Sequence, residues 1–401
     1  MTEGLADGLG KVGPRHIRLY ETWAQGSAAM LITGNIMIDR RYLERAGNVV
    51  VEDDRQLPAL TAWADAVHRH DCQLWAQISH PGRQCPRLVA LEPMAPSAVQ
   101  LKVAANFGRP RVMDQSDIED VIKRFATTAS VLRRAGFDGV QIHAAHGYLL
   151  SQFLSKRTNH RLDEWGGDLA GRARLLLQVV RAVRAAVGDQ MGLSVKINSS
   201  DFVKGGFSLD ECAEVVRALS DEKVDLIELS GGTYEQVAFF KALDPKEVRD
   251  STRTREALFL EHARMIRSHL RLPLMVTGGF RSRQAMLSAL ASGDTQVLGL
   301  ARPFCVDPDL PRRMMSGQLK QLPLVEAQLA LGRGHRGPNS ESAHWRGLND
   351  QAHAAWYYNQ IERLASGKQP LTSLSPLRAL LMHFGKDFLR AMRRRWLILQ
   401  T

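Results

Sequence analysis

A chain of 401 residues, 44% hydrophobic and 24% charged, has the composition of an ordinary globular protein and the length for one large core or two modest ones. Its net charge of +11 suits an anionic ligand or surface but decides neither fold nor chemistry. Cys72, Cys85, Cys212 and Cys305 lie far apart with no CxxC pair, which excludes a zinc ribbon, a cluster site or a disulfide framework and fits a reducing cytoplasm.

The chain opens on "MTEGLADGLGKVG", polar and glycine-rich, and no later run approaches the roughly 20 apolar residues of a membrane span, so neither secretion nor spanning is expected. Residues 11–27, "KVGPRHIRLYETWAQGS", read as a helix. Seven short strand runs follow: "AAMLITGN" from 28, "CQLWAQISH" from 72, "GVQIHAAH" from 139, "GLSVKINSS" from 192, "DLIELSGG" from 225, "LPLMVTGG" from 272 and "TQVLGLARPF" from 295. Longer helical patterns separate them. In "DIEDVIKRFATTASVLRRAG" the preceding Ser116 stands three residues before Glu119, the spacing of a capping box. Repeated strand-then-helix units mean parallel strands covered by helices, in a closed (β/α)8 TIM barrel or an open doubly wound sheet. Polar residues end nearly every strand, which favours the barrel, because an open sheet gathers its ligand at one switch point. Only seven of eight strands are visible, and the missing first strand should precede residues 11–27.

After about residue 310 the pattern turns glycine-rich and irregular, then helical, so a barrel over 1–312 and a helical C-terminal extension over 313–401 are expected. The last segment, "SPLRALLMHFGKDFLRAMRRRWLILQT", spaces Leu377, Leu381, Phe384, Phe388, Met392, Trp396 and Leu399 at helical intervals, with Arg390, Arg393 and Arg394 between them. Such a basic amphipathic helix either packs on the barrel or rests weakly on an anionic membrane surface or partner.

Chemistry concentrates at three strand ends. His143 and His146 close the run from Gly139, where a barrel gathers side chains at its mouth. Two neutral imidazoles can hold one carbonyl or phenolate oxygen by paired N–H bonds, and Tyr148 follows closely enough to offer a phenolic proton. Alternatively the histidines cap backbone carbonyls and Tyr148 is core; a metal site lacks a third ligand at suitable spacing. "VTGGF" from 276 and "GLARPF" from 299 end the last two strands, where barrels build phosphate sites. Gly278 and Gly279 admit an anion close to the backbone, Arg302 supplies a forked cation, and the Ala301 amide can join it.

From "AGFDGVQIHAAHGYLLSQFLSKRTNHRLDEWGGDLAGRARLL" onward the chain resembles the old yellow enzyme family of NADH:flavin oxidoreductases, with motifs in order from about residue 1 to 312. The resemblance implies FMN as cofactor, NADH or NADPH as reductant, and a small-molecule substrate, an α,β-unsaturated carbonyl or related electrophile. It implies that His143 and His146 grip the substrate oxygen, that Tyr148 donates the proton, that Gln77 bonds the flavin pyrimidine and that Thr2 lies near flavin C4=O. Lys196 then sits near N1 and O2, where two-electron reduction gathers negative charge. Phosphate falls to Gly278, Gly279, Ala301 and Arg302. No nucleic-acid partner is expected, and a homo-oligomer is left open. The turn "RLDEWGGDLAGRARLL" is expected to build structure, with Asp168 opening a helix and Arg172 and Arg174 pairing with nearby acids.

Three features depart from the family pattern. The body of the first strand is missing, as a start placed too far downstream would produce; "RWLILQT" is the other segment that could fill the slot. Lys156 and Arg157 replace a small and apolar pair, which bears on substrate access. The cysteines and second nucleotide-binding region of the iron–sulfur members are not found in these 401 residues, so internal electron transfer through a cluster is not expected. An incomplete barrel also leaves the alternative of a flavin-less binding protein. Loops over the mouth, including "MAPSAVQLKVAANFGRPRVMD", set the substrate.

Overall fold

Each apolar run between turns becomes a strand, and all the strands of the main sheet run parallel. The computed structural model describes residues 2–102, 106–231, 261–268 and 270–398; Leu399 and positions 103–105 of the mouth loop lie outside them. Helix α1 (Pro14–Gln25) carries its proline in the first turn, where a missing N–H costs nothing. It leads to β1 (Met30–Ile32), followed by β2 (Ile36–Met37), β3 (Val49–Val50), α2 (Leu57–His68) and β4 (Gln73–Ser79). A separate ribbon of β5 (Met94–Ala95) and β6 (Arg111–Val112) precedes α3 (Gln115–Arg134) and β7 (Gly139–Ala144). Then come α4 (Leu149–Leu154), α5 (Leu169–Val187), β8 (Gly192–Asn198), α6 (Leu209–Ser220), β9 (Leu226–Ser230), β10 (Leu274–Thr277), α7 (Arg283–Ala291) and β11 (Val297–Gly299).

β1 pairs with β4, and the ladder continues through β7, β8, β9 and β10 to β11. Among the described residues β11 has no pairing with β1, so the wall has a seam where an eighth strand would stand. This is a TIM-barrel fold in which the described residues supply seven strands of the wall. β7 and β9 are buried along their whole length, as parallel strands covered by helices must be.

Two local expectations are corrected. The box that opens α3 is built by Asp114 and Asp117, not by Ser116 and Glu119: Asp114 Oδ1 accepts from the Asp117 N–H at 2.9 Å, and Asp117 Oδ2 accepts from the Asp114 N–H at 3.0 Å. The helix starts one residue before Ser116, whose hydroxyl donates to Asp114 instead. Nor do the described residues of "RWLILQT" supply a strand, because residues 395–398 are the last turn of a helix and 399–401 lie outside the described residues. Around α5 the expectation matches: Asp168 accepts from the Gly171 N–H at 2.8 Å, Arg172 pairs with Glu211 at 2.7 Å and Arg174 with Glu164 at 3.5 Å.

Beyond β11 a 3-10 turn (Arg302–Cys305) and α8 (Leu310–Met315) lead through irregular chain to α9 (Ala343–Ala365) and α10 (Pro376–Ile398). Trp356, Tyr357, Ile361 and Leu364 of α9 join the hydrophobic core that contains the barrel's Trp63, Phe125 and Phe153. α10 packs on α9, but not through the residues that the spacing singled out. Leu377, Leu381, Phe384, Phe388, Met392 and Trp396 all point outward, while Ala379, Leu380, Ala391 and Arg394 are buried. The surface of α9 explains this inversion: it offers Ala352 and Ala355 to Leu380, and the Glu362 carboxylate to Lys386 and Arg390.

Candidate active site

Strand register sets the site. Gln77 lies opposite Gln141, His143 opposite Lys196, and Lys196 opposite Glu228. Because side chains alternate along a strand and register partners in a parallel pair share a side, all five stand on one face of the wall. Gln77 Nε2 donates to Gln141 Oε1 at 2.6 Å, and Gln141 Nε2 donates to Glu228 Oε2 at 2.7 Å. Glu228 Oε1 in turn lies 2.8 Å from Lys196 Nζ. Gln77 therefore faces a neighbouring amide and not solvent, and Lys196 is a largely buried, paired cation and not an exposed strand lysine. Sequence reasoning missed Gln141 and Glu228. A signal was present: each is a lone polar residue inside an apolar run, two positions before His143 or Ser230.

His143, His146 and Tyr148 form one ring cluster at the end of β7. The His143 ring meets His146 at 5.1 Å between centroids and Tyr148 at 4.8 Å, both edge to face. His143 Nδ1 accepts from the Ala145 N–H at 3.2 Å, so in the neutral ring the proton must reside on Nε2. His143 is thus a donor at its outer nitrogen and does not cap a carbonyl through Nδ1. Burial, then the neighbouring His146 and Lys196, holds its pKa well below the usual histidine value; burial and Lys196 do the same for His146. Both shifts favour the neutral form of the rings.

His146 adopts a left-handed backbone with φ 59°, uncommon for a non-glycine residue. Side chains from the end of β8 and the turn after β4 hold it there: Asn198 Oδ1 accepts from its N–H at 3.1 Å, Gln84 Nε2 donates to its carbonyl at 3.1 Å, and Asn198 Nδ2 is anchored on Asp201 at 2.9 Å. The ring Nε2 lies 2.7 Å from Ser230 Oγ. A serine hydroxyl donating to Nε2 places the ring proton on Nδ1.

At the ends of β10 and β11, Gly278 and Gly279 have φ of 90° and 83°, in the region that favours glycine, and both are half-buried. The Gly278 N–H donates to Gly299 O at 3.1 Å, which removes it from the amides expected to meet phosphate. Ala301 is exposed at the head of the 3-10 turn, and Arg302 Nη1 lies 3.7 Å from Glu326, a carboxylate that also pairs with Arg281. Beside the glycines the buried Thr277 hydroxyl has no hydrogen-bond partner among the described residues, and a Cβ at Gly299 would lie 1.9 Å from it. An orphaned hydroxyl beside glycines at one end, and a polar amide–carboxylate–ammonium chain at the other, fit a phosphorylated, hydrogen-bonding cofactor.

The N-terminal segment folds onto the turn after β1. Thr2 donates to Glu44 at 2.7 Å, and Glu3 accepts from the Gly34 N–H at 2.7 Å and from the Tyr20 hydroxyl. The Thr2 hydroxyl is therefore engaged by protein. Lys156 pairs with Glu211 at 2.9 Å and Arg157 donates to Lys204 O at 3.2 Å, so these two residues tie the loop after α4 to the first turn of α6 and to the segment that precedes it.

Known proteins share the sequence pattern and the fold. A family model described as NADH:flavin oxidoreductase / NADH oxidase matches residues 2–321. The NADH-dependent flavin oxidoreductase iliE of Hypocrea jecorina (strain QM6a) is 35% identical over 338 residues, covering 79% of this chain and 83% of that one. Its namesake from Neonectria sp. (strain DH2) is 38% identical over 319 residues, of which this chain spans only 41% of the length. Among solved structures, morphinone reductase aligns with a TM-score of 0.66 at 22% identity, over 80% of this chain and 86% of that one. A 2-naphthoyl-CoA reductase complex aligns with a TM-score of 0.72 at 24% identity, over 79% and 49%. On a sequence match spanning most of its length the chain belongs to the FMN-dependent NADH:flavin oxidoreductase / NADH oxidase family, and it shares its barrel fold with an old yellow enzyme homologue from Zymomonas mobilis.

Proposed function

We propose that this flavin-dependent oxidoreductase transfers hydride from NADH or NADPH to an α,β-unsaturated carbonyl compound or a related electrophile. Bound FMN supplies the two-electron chemistry, accepting hydride from the nicotinamide and releasing it to the second substrate. Gln77 and Lys196 would hold the pyrimidine edge, Gly279, Ala301 and Arg302 the phosphate, and Thr2 would lie at the rim.

The observation that carries the acceptor chemistry is the fixed tautomer of His143, with Nδ1 engaged by a backbone N–H and the proton on Nε2. That proton and one from His146 would hold the substrate's carbonyl oxygen. As hydride adds to the β-carbon, the C=C electron pair shifts and negative charge collects on this oxygen, where preorganised N–H donors act most strongly. Tyr148 gives its phenolic proton to the α-carbon and regains one from solvent, so the net change is reduction of the C=C bond.

Half-reactions test this reading. Tyr148→Phe should slow oxidation of the reduced enzyme by an enone while leaving reduction by nicotinamide intact; equal slowing of both would remove Tyr148 from its role. Purified protein should be yellow and release FMN on denaturation. A colourless preparation that stays apo when FMN is added would favour the binding-protein alternative.

A further inference from the structure

Helix α10 carries its apolar face outward. Leu377, Leu381, Phe384, Phe388, Met392 and Trp396 form one stripe at helical spacing, each between 48% and 65% exposed. Every exposed phenylalanine and tryptophan among the described residues lies on this helix. Elsewhere exposed apolar residues are scattered; here they are contiguous, and contiguous patches mark contact surfaces. The opposite face is occupied by ionic contacts with Glu362 and by His383 stacked on Tyr358 at 4.9 Å, and among the described residues none covers the stripe.

Charge identifies the occupant. Arg378, Arg393 and Arg395 are exposed on α10, whereas its one acid, Asp387, is turned inward, 3.4 Å from His383 and 3.5 Å from Arg390. Beside the stripe lies a cavity of about 680 Å3, lined by Arg15, Arg363, Lys368, Arg378, Lys386 and Arg390 against a single carboxylate, Glu362. Arg378, Met382, Lys386 and Arg390 belong both to this cavity and to α10. An apolar crest with a cationic flank complements acyl chains beneath phosphate headgroups. A second copy meeting across a two-fold axis would instead set these arginines against one another with no acid between them. No described helix is long and apolar enough to cross a membrane, so the fitting geometry is a helix lying in the interface plane.

We propose that this face binds an anionic phospholipid surface, with the stripe of α10 among the acyl chains and the basic cavity receiving phosphate headgroups.

The test uses the full-length, FMN-loaded protein, sedimented with vesicles of phosphatidylcholine alone and of phosphatidylcholine mixed with phosphatidylglycerol. Two double variants at exposed positions run beside it, Phe388→Asp with Trp396→Asp and Lys368→Glu with Arg378→Glu, with flavin content and melting temperature as folding controls. The anionic vesicles should retain at least ~tenfold more protein than the neutral ones, retention should fall as salt is raised, and each variant should lose at least ~tenfold. Absent binding, or equal binding to both vesicle types, overturns the proposal. So does a dimer that Phe388→Asp with Trp396→Asp dissociates while vesicles bind nothing. Thermal protection by glycerol phosphate without vesicle binding would assign the cavity to a soluble anion and likewise overturn it.

Discussion

Lys196 Nζ stands 2.8 Å from Glu228 Oε1, at matched register on adjacent strands, and the same carboxylate accepts from Gln141, which holds Gln77. The two residues assigned to the pyrimidine edge are therefore wired to one buried acid. Glu228 offsets the lysine's charge, so it should lower the flavin potential from what a free cation would set. Glu228→Gln should raise the FMN midpoint potential by roughly 30–60 mV, the equivalent of about 1.4–3 kcal/mol for two electrons. Potentiometric titration reads this directly, and an unchanged or lowered potential would remove Glu228 from that role.

Ser230 sits 2.7 Å from His146 Nε2 and can fix which nitrogen carries the ring proton. Ser230→Ala should slow acceptor reduction about tenfold, the order of one lost hydrogen bond of about 1–1.5 kcal/mol, and leave nicotinamide oxidation unchanged. Stopped-flow measurement of the two half-reactions separates this from a folding defect, which would depress both.

Arg302 should contribute a charge-assisted bond to the phosphate. Arg302→Ala is expected to weaken FMN binding by about tenfold to a hundredfold, roughly 1.5–3 kcal/mol, in fluorescence titration of the apoprotein. Glu326→Gln, which frees the same guanidinium, should tighten binding or leave it unchanged.

His80 is buried with Nδ1 accepting from the Gly82 N–H at 3.1 Å, and burial pushes its pKa down to about 4. The unfolded chain takes up a proton near pH 6.5 that the folded protein refuses, so this contribution is complete above about pH 7 and is lost as pH falls toward 4. The loss reaches about 2 kcal/mol at pH 5. His80→Asn keeps an acceptor for Gly82 but cannot titrate, so its denaturation midpoint should fall less between pH 7 and 5 than that of the unaltered protein. Parallel slopes would discount His80.

Asp114→Ala should cost about 1 kcal/mol by removing the cap of α3, and Ser116→Ala only a few tenths. Urea unfolding distinguishes the two, and the reverse ranking would return the cap to Ser116.

The sequence by itself determined the strand runs, their parallel order and the residues at their ends, because a period of two, a period of 3.6 and glycine turns are local properties that each run carries within itself. His143, His146, Tyr148 and the Gly278–Gly279 turn were legible for that reason. Only the tertiary structure decided which side chains meet. The partnership of Glu228 with Lys196 depends on register between strands more than 30 residues apart in sequence, and His146 is held by Asn198 and Ser230 at the ends of β8 and β9. The outward turn of α10 depends on the small and charged surface that α9 presents to it, since an amphipathic pattern says that a helix has two faces but not which one its neighbour will match.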